Sequence, residues 1–422
     1  MTIPHSDVER ERPVVSSRFA QKAGPTNHSS IQPPTAMVSI TVSDASEGGV
    51  LRAYGLAQAV QRLGYKVEVV GFQSGDRPLA EPPPGIPLKT VPLTSFPHFL
   101  ISAWRFVRQL RGTVIYASKP KLTSFGLALL VAKLTHRPLL LDMDDWEMSW
   151  HGGDSWRYRP SLRQLLRDVV KPRGALRSPH HPLYTRWIER LVAQAQVLTV
   201  DTAFLQQRFG GTYLPHGQDC DRFAPTLYNA EASRRAYGLQ HYRVLMFPGV
   251  PRPHKGLEDL LAALELLNEP DLRVVIVGGS PYDDYDAQLA AQWGHWLIQL
   301  PRVPNDQMPQ VLAAAHVVVV PQRQSAIAQA QFPLKLTDGM AMAKPILATS
   351  VGDIPAILGD AGCVVEANSP AALATGLRWI FDHWDEAIAM GARARDRCCQ
   401  HYSINTVANI LRSLLLTCTS TR

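Results

Sequence analysis

The sequence predicts an α/β protein of two Rossmann-like, doubly wound parallel-sheet domains that face each other across a central cleft. Three observations carry this expectation. Residues 37–41 form an apolar run that ends in the loop Ser43-Asp44-Ala45-Ser46-Glu47-Gly48-Gly49, and a helical pattern follows through Val50, Leu56, Val60 and Leu63. Gly64 stops that helix and a second apolar run begins at Lys66, so the chain opens as a right-handed βαβ unit. The same alternation starts afresh near Val244, and a length of 422 residues suffices for two separate cores.

Further strands are expected at 113–117, 138–142, 197–200 and 212–214 in the first half. In the second half the pattern predicts strands at 244–247, 274–277, 317–320 and 345–348, with a helix over 256–267. The polar stretch 215–240 holds the join. The expected organisation is a disordered tail at 1–35, an N-terminal domain at 36–220, a C-terminal domain at 221–402 and a final helix at 403–422. That helix carries Ile404, Val407, Ile410, Leu411, Leu414 and Leu415 near one face and is expected to pack back on the N-terminal domain.

Composition narrows the class. No stretch approaches the roughly 20 uninterrupted apolar residues of a membrane span, and the first 35 residues lack an apolar signal core. The five cysteines suit neither a disulfide framework nor a zinc site, which fits a reducing cytoplasm. The net charge of +7 is unevenly placed: Arg157, Arg159, Arg163, Arg167, Lys171, Arg173 and Arg177 stand against Asp168 alone, close behind Trp146, Trp150 and Trp156. Cations beside interfacial aromatics suit an anionic membrane surface through 157–177, or an anionic acceptor; the alternative is an ordinary solvated helical face. A second such helix is expected with Phe99, Ala103, Val107 and Leu110 on its apolar face and Arg105, Arg108 and Arg111 around it. No nucleic-acid motif accompanies this charge, so no nucleic-acid partner is expected.

Open parallel sheets bind ligands at the carboxyl ends of their strands, where loops and helix N-termini present free N–H groups. The loop from Phe247 to Gly256 contains Gly249, Arg252 and Lys255 beside the expected cleft, and a cation there stabilises a diphosphate leaving group. The alternative is a solvated loop in which the glycines only make the turn. The segment 331–345 follows, with Gln331, then Pro333 at the first helical position, so that the amides of Leu334 and Lys335 face an anion. Asp338 lies one turn further on, within reach of a ribose or paired with Lys335. Gly48 and Gly49 let the opposite domain's loop approach the same diphosphate. Among the histidines, His216 is expected to shape the turn before the join and His316 to edge a strand.

Residues 244–280 and 317–358, with Gly249, Lys255-Gly256 and the run Met340-Ala341-Met342-Ala343-Lys344-Pro345-Ile346-Leu347-Ala348-Thr349-Ser350-Val351-Gly352-Asp353-Ile354-Pro355, resemble the donor domain of family 4 glycosyltransferases. Glu47-Gly48-Gly49 and the turn at 214–219 extend the resemblance over about residues 37 to 415. It implies a GT-B fold, a nucleotide-sugar donor in the C-terminal domain, an acceptor in the N-terminal one, retention of anomeric configuration and no metal or other cofactor. In that family two glutamates with seven residues between them hold sugar and ribose; here Ala330 and Asp338 stand at those positions, leaving Gln329 or Gln331 for the sugar. The family's phosphate-loop arginine is Val250, with Arg252 or Lys335 as substitutes, and its cleft-edge histidine is Asp144.

The expected enzyme transfers a hexosyl or related group to a glycan, lipid-linked or other membrane-proximal acceptor, at the inner face of the cytoplasmic membrane or free in the cytoplasm. Lys255, Arg252 and Asp144 are its expected catalytic residues. Three rivals remain. One is a single-domain transferase in which Asp142 and Asp144 hold a divalent cation; another reading has Asp142, Asp144 and Asp145 face the acceptor, or start a helix. The second rival is a nucleotide-sugar-binding subunit without turnover, and the third an isomerase acting on a nucleotide sugar.

Overall fold

Each half of the chain places its first strand in the middle of a sheet, and this decides where the ligand loops emerge. The computed structural model describes residues 36–280 and 283–420, with side chains to residue 418; the tail expected at 1–35 lies outside the described residues. All described residues belong to one compact unit. The first sheet contains β1 (Met37–Val42), β2 (Lys66–Gln73), β3 (Leu88–Pro92), β4 (Val114–Ser118), β5 (Leu139–Met143), β6 (Val197–Val200) and β7 (Thr212–Tyr213). Its order is β3-β2-β1-β4-β5-β6-β7, parallel throughout. Val38 pairs with Val67 and Ile40 with Val69, all buried, as expected of a parallel sheet covered by helices on both faces.

The second sheet contains β8 (Arg243–Phe247), β9 (Leu272–Val277), β10 (Leu297–Leu300), β11 (Val317–Val320), β12 (Ile346–Thr349) and β13 (Cys363–Val365), in the order β10-β9-β8-β11-β12-β13. Strand order reverses between β1 and β4 in one sheet and between β8 and β11 in the other. The loops after these four strands therefore line the two crevices.

Helix α1 (Gly49–Arg62) buries Val50, Ala53, Ala57 and Val60, and the helix Ile404–Ser420 lays Ile404, Val407, Leu411 and Leu415 into the same cluster. Each valine, leucine or isoleucine among them contributes about 1.5–3 kcal/mol by leaving water. Two crossover segments meet beneath the cleft: Gln218 N–H donates to Tyr402 O at 2.7 Å, and Ile404 N–H donates to Gln218 O at 3.0 Å.

Three edge strands, β3, β10 and β13, are absent from the sequence expectation, because short runs such as Leu-Lys-Thr-Val-Pro carry too little periodicity to stand out. One expected face is corrected. In α2 (Phe99–Gln109), Phe99, Ala103 and Phe106 are buried in the core with Leu110 just beyond, while Leu100, Ile101 and Trp104 are exposed. The face assigned to a membrane is thus a packing face, and the solvent face is apolar as well. Beyond α3 (Leu127–Thr135) the basic segment forms α4 (Leu162–Val170), with Ser161 capping it through Gln164 N–H.

Candidate active site in the cleft

The C-terminal half contributes a wall built on the loops after β8 and β11. Gly249, at φ +141°, adopts a backbone that side chains rarely tolerate, and a Cβ there would sit 3.3 Å from Lys335 Cε. Gly256 is stricter, since a Cβ would fall 1.8 Å from Pro321 O. These glycines let the loop fold tightly enough to bring Lys255 beside Lys335. Lys255 Nζ donates to Val250 O at 3.0 Å, and Lys335 Nζ lies 4.7 Å above the Phe247 ring. Neither lysine has a carboxylate within 4.0 Å among the described residues. Burial and the neighbouring Lys335 charge push Lys255 well below the usual lysine range, and burial pulls Lys335 down to about 8. Asp338, one turn beyond Lys335, accepts from Gln218 Nε2 at 2.5 Å, and burial raises it to about 6.

The N-terminal half contributes a wall of opposite character. Lys119 Nζ lies 2.7 Å from Glu147 and 3.5 Å from Asp144, and Lys121 Nζ lies 2.9 Å from Glu147. Burial opposes charge on Glu147, but Lys119 and Lys121 outweigh it and hold the carboxyl below its usual range. Gly49 packs against this group, as a Cβ would press on Lys119 Cε at 3.0 Å, whereas one on Gly48 would meet nothing within 4 Å. Gly48 caps the N-terminus of α1 and faces open space.

The two walls touch. Asp145 Oδ2 accepts from Trp150 Nε1 at 2.8 Å and, across the cleft, from Gln331 Nε2 at 3.1 Å. The Trp150 ring meets His254 edge-on at 5.5 Å. His216 stacks on Phe332 at 5.2 Å, with its Nε2 3.1 Å from Asp201.

Among the residues singled out from sequence, Lys255, Lys335, Gly249, Gln331 and Asp338 come together on the C-terminal wall, with Gly48 and Gly49 on the other. Arg252 turns aside to Asp283, 3.0 Å away. Asp144 stays with Lys119, and Asp145 rather than Asp144 reaches the opposite wall. The Leu334 amide, expected to face an anion, donates to Phe332 O at 3.0 Å, and Pro333 caps the helix Leu334–Ala341 instead of starting it. Asp142 lies in the sheet, not at the cleft. It holds Arg52 through both oxygens, at 2.9 and 2.8 Å, and accepts from Thr199 Oγ1 at 2.7 Å. His316 accepts Val244 N–H at 3.0 Å beside the strand edge. Sequence reasoning missed Lys119, Lys121, His254 and Gln218, and it grouped Trp150 with the membrane-facing aromatics, whereas its ring lies between Asp145 and His254. The clearest available signal was that Lys119 and Lys121 follow a switch-point strand.

Residues 242–383 match the family model described as glycosyl transferases group 1, and residues 47–218 match the glycosyl transferase 4-like domain. The D-rhamnosyltransferase WbpZ of Pseudomonas aeruginosa is 28% identical over 299 residues, which is 67% of this chain and 76% of that protein. A GDP-mannose-dependent alpha-(1-6)-phosphatidylinositol monomannoside mannosyltransferase of Mycobacterium tuberculosis is 25% identical, covering 69% of this chain and 74% of its own. The solved structure of Anabaena Alr3699/HepE in complex with UDP-glucose shares the fold at a TM-score of 0.69 and 16% identity, covering 90% of this chain and 100% of that one. With both sheets of the GT-B fold in place and both halves matched, the chain belongs to the group 1 glycosyltransferases and is a glycosyltransferase.

Proposed function

We propose that the enzyme moves a sugar from a nucleoside-diphosphate sugar to a glycan or lipid-linked acceptor with retention of anomeric configuration. One observation carries the donor assignment: two half-buried lysines with no carboxylate within 4.0 Å among the described residues come together on the loops after β8 and β11, where Lys255 turns to Val250 O and Lys335 lies over the Phe247 ring. Such a pair is destabilised until an anion arrives, and a diphosphate supplies one. As the glycosidic bond breaks, negative charge grows on the departing diphosphate, and Lys255 and Lys335 stabilise it where no metal ion is needed. Asp338 accepts from the ribose hydroxyls, shared with or exchanged for Gln218. Retention follows from the family resemblance.

The acceptor approaches from the N-terminal half, and α4 supports a membrane-proximal one. Leu162, Leu166 and Val170 are 82, 65 and 69% exposed, and Arg163 and Arg167 share the same short helix, with Lys171 at its C-cap. Apolar residues beside cations suit an anionic leaflet, to which each nearby Lys or Arg contributes on the order of 1 kcal/mol. Among the described residues no helix is long and apolar enough to cross a membrane.

The donor assignment is tested by thermal shift with UDP, GDP, UDP-glucose and GDP-mannose, followed by transfer in excess chelator. Stabilisation by a diphosphate and undiminished transfer are expected. Activity lost in chelator and restored by manganese would overturn the metal-free mechanism. Charge reversal at Arg163, Arg167 and Lys171 should abolish binding to phosphatidylserine vesicles; a parent that ignores such vesicles at low salt would refute the membrane assignment.

A further inference from the structure

Asp145 is 5% exposed, yet only half of its carboxyl is satisfied. Oδ2 takes the Trp150 indole N–H and the Gln331 amide, while Oδ1 is buried and has no hydrogen-bond partner among the described residues. Leaving a buried carboxylate oxygen without a donor is costly, and such an atom marks a place where a donor arrives with a ligand. The cations of its own wall are engaged elsewhere, with Lys119 on Glu147 and Asp144, and Lys121 on Glu147.

The surroundings say where that ligand lies. Gln331 precedes Lys335 by four residues, and Trp150 touches His254, the residue before Lys255. Asp145 is therefore joined on two sides to the loops that carry the diphosphate lysines, although it belongs to the opposite half. A group bonded to the diphosphate and pointing away from the lysines enters this ring of residues. It must bring O–H or N–H donors, and the hydroxyls of a sugar are such donors.

We propose that Asp145 binds the donor sugar, Oδ1 accepting a hydrogen bond from a sugar hydroxyl, and that it thereby selects which sugars are transferred. This rests on the cleft being a nucleotide-sugar site. The position on the C-terminal wall from which a carboxylate is lacking is Ala330, which is itself buried against residues of the N-terminal half. The acid is supplied across the cleft instead, so the sugar is gripped only when both halves are in place.

The test compares sugar-bearing and sugar-free ligands in the full chain. Affinities of UDP, GDP, UDP-glucose and GDP-mannose are measured for the parent, Asp145→Ala and the isosteric Asp145→Asn. For the better-bound nucleotide sugar, affinity is expected to fall at least about tenfold in Asp145→Ala, and less in Asp145→Asn, while the matching diphosphate changes by less than about twofold. Retained diphosphate affinity also reports that the variants are folded. Equal losses for sugar and diphosphate would make Asp145 a brace of the cleft and overturn the inference, as would no loss at all. A parent that binds none of the four ligands would overturn the donor assignment itself.

Discussion

Two pairs of lysines face the cleft from opposite walls, in opposite electrostatic states. Lys119 and Lys121 are half-buried, yet both are raised above the ordinary lysine range, because Asp144 and Glu147 outweigh the cost of desolvation for the first and Glu147 with Glu47 for the second. Lys255 and Lys335 are half-buried with no carboxylate within 4.0 Å among the described residues and are both lowered, Asp338 offsetting the cost for Lys335 only in part. The residue type is the same, and the difference lies in who supplies the counter-charge. The N-terminal wall carries its own, so its cations shape the cleft. The C-terminal wall leaves the role open, so its cations are free to act on a ligand.

The largest test of this contrast removes the open cations. Lys255→Ala should lower turnover at least about tenfold, and Lys255→Ala with Lys335→Ala by more than about a hundredfold, since each charge-assisted contact contributes about 1.5–3 kcal/mol. Steady-state transfer rates check it. Parent-like turnover in the double variant would place the diphosphate elsewhere.

A second test reads stability in the absence of ligand. Lys119→Met leaves Glu147 buried with Lys121 as its remaining cation, and breaking such a pair costs about 3 kcal/mol. Lys255→Met removes a desolvated cation that has no carboxylate partner and gives up the hydrogen bond to Val250 O. Its stability should match or exceed the parent's while activity collapses. Melting temperatures of the two variants that fall together would erase the distinction between the walls.

The open wall was the more legible of the two. Gly249, Lys255, Gly256 and Lys335 act through local geometry: a strand, a tight turn and a helix start, all written in neighbouring residues. The paired wall depends on partners far apart in sequence, such as Arg52 with Asp142 or Lys119 with Glu147, and periodicity says nothing about them. Which of Asp144 and Asp145 reaches across the cleft was not legible for a related reason. β5 ends at Met143, and beyond a strand the alternation of faces no longer applies. Trp150 and Gln331 then decide which carboxyl faces across. In α2 both faces are apolar, so amphipathicity could not say which one is buried.

The smallest effect, and the finest test of the contrast, is the pH dependence of diphosphate binding. Lys335 titrates near 8 in the free protein because burial disfavours its charge, and a bound diphosphate favours the ammonium form. Binding should therefore take up protons around pH 8, and affinity should fall as pH rises through 8, by at most about tenfold per pH unit for each lysine involved. Asp338 works in the opposite direction: burial raises it to about 6, and ribose hydroxyls favour the carboxylate, so affinity should also fall as pH drops through 6. His254, held near 4 by burial and by Lys255, stays neutral across this window. The expected profile falls off on both sides, below about 6 and above about 8, and is measurable by calorimetry with UDP or GDP in buffers of different ionisation enthalpy. Lys119 and Lys121, already paired, add no proton uptake. Proton release at pH 8, or a profile unchanged by Lys335→Ala, would show that the C-terminal wall is not waiting for an anion.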